Sequence, residues 1–308
     1  MANTRSPFLQ ARAYGVGERI VADSRFAPNN VYFVNSTTGT DSASAGQSPD
    51  TPFDTIDYAI GQCTASKGDV ILVMPEHVET IAAAGGIACD VAGIKIIGLG
   101  QGALRPTVTF SATTSTWTVS AASVTIQNIR VTSSVNELVK MFSVTAADVT
   151  LDGVDYIDPG SAKETLQFLL TTSGAKRITV KNCKHLASTA GASAQLWIAL
   201  VGVEEGRIID NTFMLKLNDA ATSSVINLDT DVRLVEMARN RILMTGYSAS
   251  LLSAILGHAN ATGIHYDSRI AGDVAAVTTL NDFPGGYSNE VYCVRAVDKS
   301  GILDPVVS

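Results

Sequence analysis

VTLDG (149–153), ITVKN (178–182) and RIIDN (207–211) are one phrase written three times. VTLDG and ITVKN alternate apolar with polar residues, and all three end on a residue type that tolerates a tight bend. Further copies are GIKIIG (93–98), VTIQN (124–128) and GIHYD (263–267). The closing residues are Gly98, Asn128, Gly153, Asn182, Asn211, Asn240 and Asp267, so the steps are 30, 25, 29, 29, 29 and 27 residues. Gly, Asn and Asp are the residues that most easily enter left-handed backbone. A period of roughly 29 residues carrying short alternating strands, with no amphipathic helix between them, is the signature of a solenoid.

A second column supports the first. Trp117, Phe142, Phe168, Trp197, Ile226 and Ile255 recur at steps of 25, 26, 29, 29 and 29. Each coil thus reads as two strands, such as MFSV and VTLDGVDY, followed by a longer polar return. Parity places Ile96, Ile126, Leu151, Val180 and Ile209 inward, and Val235 with Met237 shifts that frame, which predicts a bulge before Asn240. The fold expected is all-β: a right-handed, single-stranded parallel β-helix whose coils stack around one core.

Two polar columns accompany the repeat. Asp152, Lys181 and Asp210 are 29 residues apart and predict an external ladder of alternating charge that fixes register. Asn182, Asn211 and Asn240 predict a side-chain ladder at the bends.

Composition agrees with a β-rich chain. Of 308 residues 46% are hydrophobic and only 17% charged, and the net charge is −7. No Lys/Arg run exists, which argues against a nucleic-acid surface. No apolar stretch is long enough to span a bilayer, and the N-terminus lacks a signal-peptide core, so no membrane partner and synthesis in a cytoplasm are expected. Cys63, Cys89, Cys183 and Cys293 share no metal-ligand spacing and read as small buried hydrophobes.

Residues 31–80 are organised differently. VYFV is a strand, a turn-rich loop follows, and Ile56, Ala59, Ile60 and Cys63 have helical spacing with Asp54 or Thr55 placed as cap. GDVILVMP then reads as a buried strand. The pattern Tyr32-Phe33-Val34, Gly39-Thr40-Asp41, Pro52-Phe53-Asp54-Thr55-Ile56, Gly68-Asp69-Val70-Ile71 and Met74-Pro75-Glu76 resembles the N-terminal motif of the pectin-lyase-like superfamily. It departs at Glu76, where the family has Gly, and implies a first turn that closes without positive φ. VILVMPEHVETI (70–81), and more loosely DKSGILDP (298–305), resemble capsid-associated β-helix proteins of tailed bacteriophages. The resemblance implies the fold, with a helix plugging the N-terminal end. The expected organisation is an arm at 1–30, a cap at 31–80, coils at 81–280 and a C-terminal tail or cap at 281–308.

Enzymes of that superfamily cleave acidic polysaccharides, which requires a base beside a cation, or two carboxyl groups facing one bond. Lys176, Arg177, Lys181, Lys184 and His185 cluster in one coil with Arg207 in the next, but Asp155, Asp210 and Phe213 are their expected neighbours. His77 lies between Glu76 and Glu79, and His258 and His265 flank a turn. The visible loops are rich in Ser, Ala and Thr, and aromatics are 6% of the chain, a poor supply for sugar platforms. No catalytic, cofactor-binding or metal-ligating residue is therefore assigned. The expectation is a non-catalytic structural protein of a bacteriophage virion, a capsid decoration or head-associated spike. It would be homotrimeric and attached through its N-terminal arm to the major capsid protein or another virion protein. The alternative is a polysaccharide lyase or tailspike depolymerase.

Overall fold

The structure is a computed structural model. It describes residues 29–158, 160, 165–186, 195–217, 223–246, 253–258 and 260–272, and the backbone of the strands Leu9–Ala11, Arg19–Val21, Asn281–Asp282, Tyr287–Arg295 and Gly301–Asp304. Most of the expected arm, the loops at 187–194, 218–222 and 247–252, and the Cys293 side chain lie outside the described residues. The chain winds as a parallel β-solenoid of about six turns with a single α-helix among the described residues.

Each regular coil contributes three strands, one more than the spacing suggested, because VTLDGVDY is cut at Gly153 into Thr150–Asp152 and Asp155–Ile157. Three ladders result. The first runs through Val70–Val73, Lys95–Gly98, Thr125–Gln127, Thr150–Asp152, Thr179–Lys181, Arg207–Ile209 and Val235–Ala238. The second includes Thr107–Phe110, Arg130–Ser133, Asp155–Ile157, Lys184–Leu186, Thr212–Leu217 and Arg241–Gly246. The third runs from Ile87–Cys89 through Trp117–Val119, Phe142–Val144, Leu169–Thr171, Leu196–Leu200 and Ser224–Leu228 to Ser253–Gly257. Pairing continues through Gly263–Gly272 to Tyr287–Arg295, after which Gly301–Asp304 pairs back antiparallel. Leu9–Ala11 and Arg19–Val21 form a separate antiparallel pair.

The corner between the first and second ladders corrects the expected bend column. Left-handed backbone occurs at Asn128, Gly153, Asn182, Asp210, Arg239 and Asp267, with φ of 57°, 63°, 55°, 59°, 52° and 57°. Gly98 and the two asparagines Asn211 and Asn240 do not share it. Val180 pairs with Ile208 rather than Ile209, so that coil is 208 − 180 = 28 residues long. The frame change therefore falls one coil earlier than the bulge expected before Asn240, and Val235–Ala238 pairs continuously on both sides. In the third ladder Phe142 pairs with Leu169 and Leu169 with Ile198, which displaces Phe168 and Trp197 one residue from the expected column. Both rings are nevertheless buried.

Because every corner residue is followed by one that points inward, Ile129, Val154, Cys183, Asn211, Asn240 and Ser268 make one buried file. The Asn ladder lies here, inside the solenoid, and Asn182 is not part of it. The Asn211 Oδ1 accepts the Cys183 N–H at 2.9 Å, and its Nδ2 donates to Val180 O and to Asn240 Oδ1, each at 3.0 Å. Asn240 Oδ1 also accepts the Asn211 N–H, its Nδ2 donates to Ile208 O at 2.8 Å, and Ser268 Oγ accepts the Asn240 N–H. Each amide thus satisfies corner backbone groups that an apolar side chain would leave unpaired in the core.

At the N-terminal end the motif residues have separate jobs. Asp41 accepts the backbone N–H of Asp54 and Thr55 and the Thr55 hydroxyl. Thr55 is the N-cap of the helix α1 (Ile56–Gln62), whose Ile56, Ala59 and Ile60 are buried against Val31–Val34, Val70–Val73 and Ile87–Cys89. A Cβ on Gly39 would lie 2.2 Å from Phe53 O, so only Gly fits there. The buried Asp69 accepts from Asn30 N and Thr64 N at 2.8 and 2.7 Å. Glu76 overturns one expectation: it adopts φ 66°, so the turn does use left-handed backbone, without a Gly.

Two outcomes follow. Deleting residues 183–210 joins Asn182 to Asn211 in register and should give a shorter solenoid with unchanged circular dichroism per residue. Deleting 183–211 slips the frame by one and should not fold cooperatively. Asn211→Val should cost about 3 kcal/mol in chemical denaturation, because it strands a buried N–H and C=O. Asn182→Ala should cost only about 1 kcal/mol, the strain of a left-handed corner.

Candidate functional site

Basic side chains are concentrated in the coil carrying Lys176, Arg177, Lys181, Lys184 and His185, with Arg207 above it. The first ladder and its corners bring Lys176, Arg177, Lys181 and Arg207 to the outer surface, and there each meets a carboxylate of an adjacent coil. Arg177 donates to Asp148 through Nε and Nη2 at 2.6 and 2.8 Å. Lys176 Nζ lies 2.9 Å from Glu204, Lys181 Nζ 3.4 Å from Asp152, and Arg207 Nε 2.7 Å from Glu236. Arg105 likewise pairs with Asp155.

The expected Asp152–Lys181–Asp210 file is only half present. Asp152 and Lys181 are register partners, but Ile209 follows Lys181. Asp210 instead occupies the left-handed corner and takes both oxygens to Arg239, at 2.7 Å each. A second left-handed column, which the repeat did not announce, precedes the first ladder at Gly93, Ser123, Asp148, Arg177, Glu205 and Leu234. Its Asp148–Arg177–Glu205 run alternates in charge for the same steric and electrostatic reasons.

These pairings decide the protonation chemistry. Arg177 holds Asp148 below the ordinary carboxylate range, Lys176 does so for Glu204 and Arg239 for Asp210, while Tyr266 and then Arg207 lower Glu236. A general acid working near neutrality needs the opposite shift. Lys176, Arg177, Lys181, Arg207 and Arg239 are engaged as counterions, so their capacity to hold a second anion is reduced.

His185 belongs to the interior, contrary to its expected place in the basic cluster. It pairs with Tyr156 and Phe213 in the second ladder and is fully buried. Its Nδ1 accepts the Trp197 indole N–H at 2.7 Å, so Nε2 carries the proton toward Val154 O at 3.1 Å. Phe168, Phe213, Tyr156 and Trp197 surround the ring at centroid distances of 4.2 to 6.4 Å. Burial pushes its pKa down to about 3. Lys184, on the same strand, faces outward above Asp155, whose Oδ1 accepts the Lys184 N–H.

The His77 group is a clamp. His77 is buried; Nδ1 accepts the Ser36 N–H at 3.0 Å, which leaves Nε2–H to meet Glu79 Oε2 at 3.1 Å. Glu79 Oε2 also accepts the Ile56 N–H at 3.0 Å. Three segments distant in sequence are tied together, and Glu76 is exposed and apart from them. His258 is exposed while His265 is buried opposite Met237, so the two do not converge. The thiols of Cys63, Cys89 and Cys183 are free and pushed up to about 12 by burial, which makes them poor nucleophiles. Among the described residues no three His, Cys, Asp or Glu side chains are placed to hold a metal.

Sequence reading missed the buried Asn file, which needs the 28-residue coil to set parity, and the inward His185, which follows the Asn182 corner as Tyr156 follows Gly153. Counting inward from each strand start, rather than from the bend, would have found them. Compared with protein-family models, curated proteins and solved structures, the chain matches none.

His185 gives a pH test with a definite sign. Its folded pKa is depressed, so its contribution is whole above pH 6.5 and is lost as pH falls toward 3. Between pH 6.5 and 4 the wild type should lose about 3 kcal/mol on this account. Chemical denaturation of His185→Leu should show a correspondingly shallower pH slope from a lower starting stability.

Proposed function

We propose that the chain is a structural component of a bacteriophage virion, a capsid decoration or head-associated spike without catalytic activity. The observation that carries this reading is the use made of surface charge. Arg177, Lys176, Lys181, Arg207 and Arg239 are each paired with a carboxylate one coil away. Such pairing stiffens a spacer and suits a part that must hold its length. The interior supports the same reading: a continuous apolar core with a hydrogen-bonded Asn file resists slippage of one coil over another. In this reading the coils wind in the right-handed sense, α1 plugs the N-terminal end, three copies associate, and residues 1–30 attach the protein to the particle.

The test is attachment together with chemistry. Protein lacking residues 1–28 should melt like the full chain yet fail to co-sediment with particles of the source virus. The full chain should release no unsaturated product from pectate, alginate, chondroitin or host surface polysaccharide, with or without Ca²⁺. Product formation abolished by Lys181→Ala or Lys184→Ala would overturn the proposal in favour of a lyase. Undiminished attachment of the truncated protein would move the contact away from the arm.

A further inference from the structure

The outer face of the second ladder is unlike that of the first. Register sets Ile157, Leu186, Met214, Leu243 and Ala271 in one file, each paired with the next. All five point outward and retain solvent exposure, 42% for Ile157. Coils lie about 4.8 Å apart, so this apolar file is about 19 Å long. Beside it runs a polar file that includes Arg241 and Arg269, register partners that are both exposed. Unlike Lys181 and Arg207 of the first ladder, neither of these arginines has a carboxylate partner among the described residues. A groove of about 450 Å³ opens here, with Met214, Arg241, Leu243, Arg269 and Ala271 in its lining.

Stacked like charges and an outward apolar file both cost free energy in the isolated chain. One kind of occupant relieves both. We propose that this face binds an acidic amphipathic helix of another protein, laid along the solenoid axis. A helix advances 5.4 Å per turn, close to the coil spacing of about 4.8 Å, and about 13 residues span 19 Å. Its apolar ridge follows the Ile157–Ala271 file, and carboxylates one turn apart meet Arg241 and Arg269. An extended strand on the same path would present side chains every 6.8 Å or so and fall out of step within two coils. The chain's own α1 is seven residues long with its apolar side already buried, so it is not the occupant. This inference stands apart from the virion reading and would hold for any particle or cell.

The probe is a synthetic 14-residue peptide with Leu at helical i, i+3, i+4, i+7 spacing and Glu on the flanks, labelled for fluorescence anisotropy against the full-length protein. Saturable binding that weakens with salt is expected. Arg241→Glu with Arg269→Glu should weaken it about tenfold or more, while the remote Lys67→Glu leaves it unchanged and a Lys-for-Glu peptide does not bind. Thermal melts of the variants should match the wild type, since these side chains are exposed. Equal affinity for the Lys peptide, equal affinity of the double variant, or no binding up to about 1 mM would overturn the proposal. So would a dimer of the protein alone, seen by sedimentation and dissolved by Met214→Glu, because the face would then belong to a second copy.

Discussion

One backbone constraint organises this molecule: each coil must place a residue in left-handed conformation where the first ladder turns into the second. For a residue with a Cβ that conformation costs about 1–2 kcal/mol, so it persists only where something local offsets it. The chain uses several offsets. Asn128 donates from Nδ2 to Gly98 O and Gly100 O, Asn182 donates to Asp152, and Asp210 and Arg239 neutralise each other across the corner. Gly153 has no Cβ to strain. The corner tolerates Asn, Gly, Asp and Arg alike because their side chains leave the coil, so backbone conformation and not side-chain identity is what repeats.

That corner fixes the parity of all that follows it. The next residue must point inward, and where it is Ile129 or Val154 the interior stays apolar. Where it is Asn211 or Asn240 the interior acquires amides, which are retained because the corner backbone at those coils has buried N–H and C=O groups to satisfy. Between these two regimes lies the coil of Cys183 and His185. There the aromatic stack of Trp197, Phe168 and Tyr156 surrounds a neutral imidazole, and burial keeps it neutral far below its ordinary pKa. Desolvation and ring packing act together: an ionised His185 would need a counterion that this interior does not offer.

The fold was legible because solenoid geometry writes itself at a fixed period. VTLDG and ITVKN expose alternation, length and bend in the same few residues. What they hide is one residue of register. Asn211 closes RIIDN as Asn182 closes ITVKN, yet a 28-residue coil puts Asp210 at the corner and Asn211 in the core. Spacing of similar letters cannot separate those cases, whereas hydrogen-bonded pairing can. The same slip joined Lys181 to Asp210. Glu76 shows a second limit: a missing Gly was read as a missing conformation, although φ 66° is reached without it. The ion pairs of Arg177 and Arg239 depend on corner geometry, so the charge pattern alone gave their sign and not their partners.

The contrast between the two outer faces is the most informative feature for function. A solenoid exposes the same ladders along its whole length, so an unneeded surface tends toward neutral pairing, coil against coil. Lys181 and Arg207 on the first ladder have reached that state. The second ladder has not: alternation along its strands puts Ile157, Leu186, Met214 and Leu243 outside while Tyr156, His185, Phe213 and Ile242 fill the core. The outer side of these strands therefore carries an apolar file beside the polar file of Lys184, Thr212 and Arg241. An outer side of that character beside two stacked arginines is costly in a free chain. Its physical rationale is contact, and the side of the solenoid on which contact occurs is set by the same left-handed corner that sets the core.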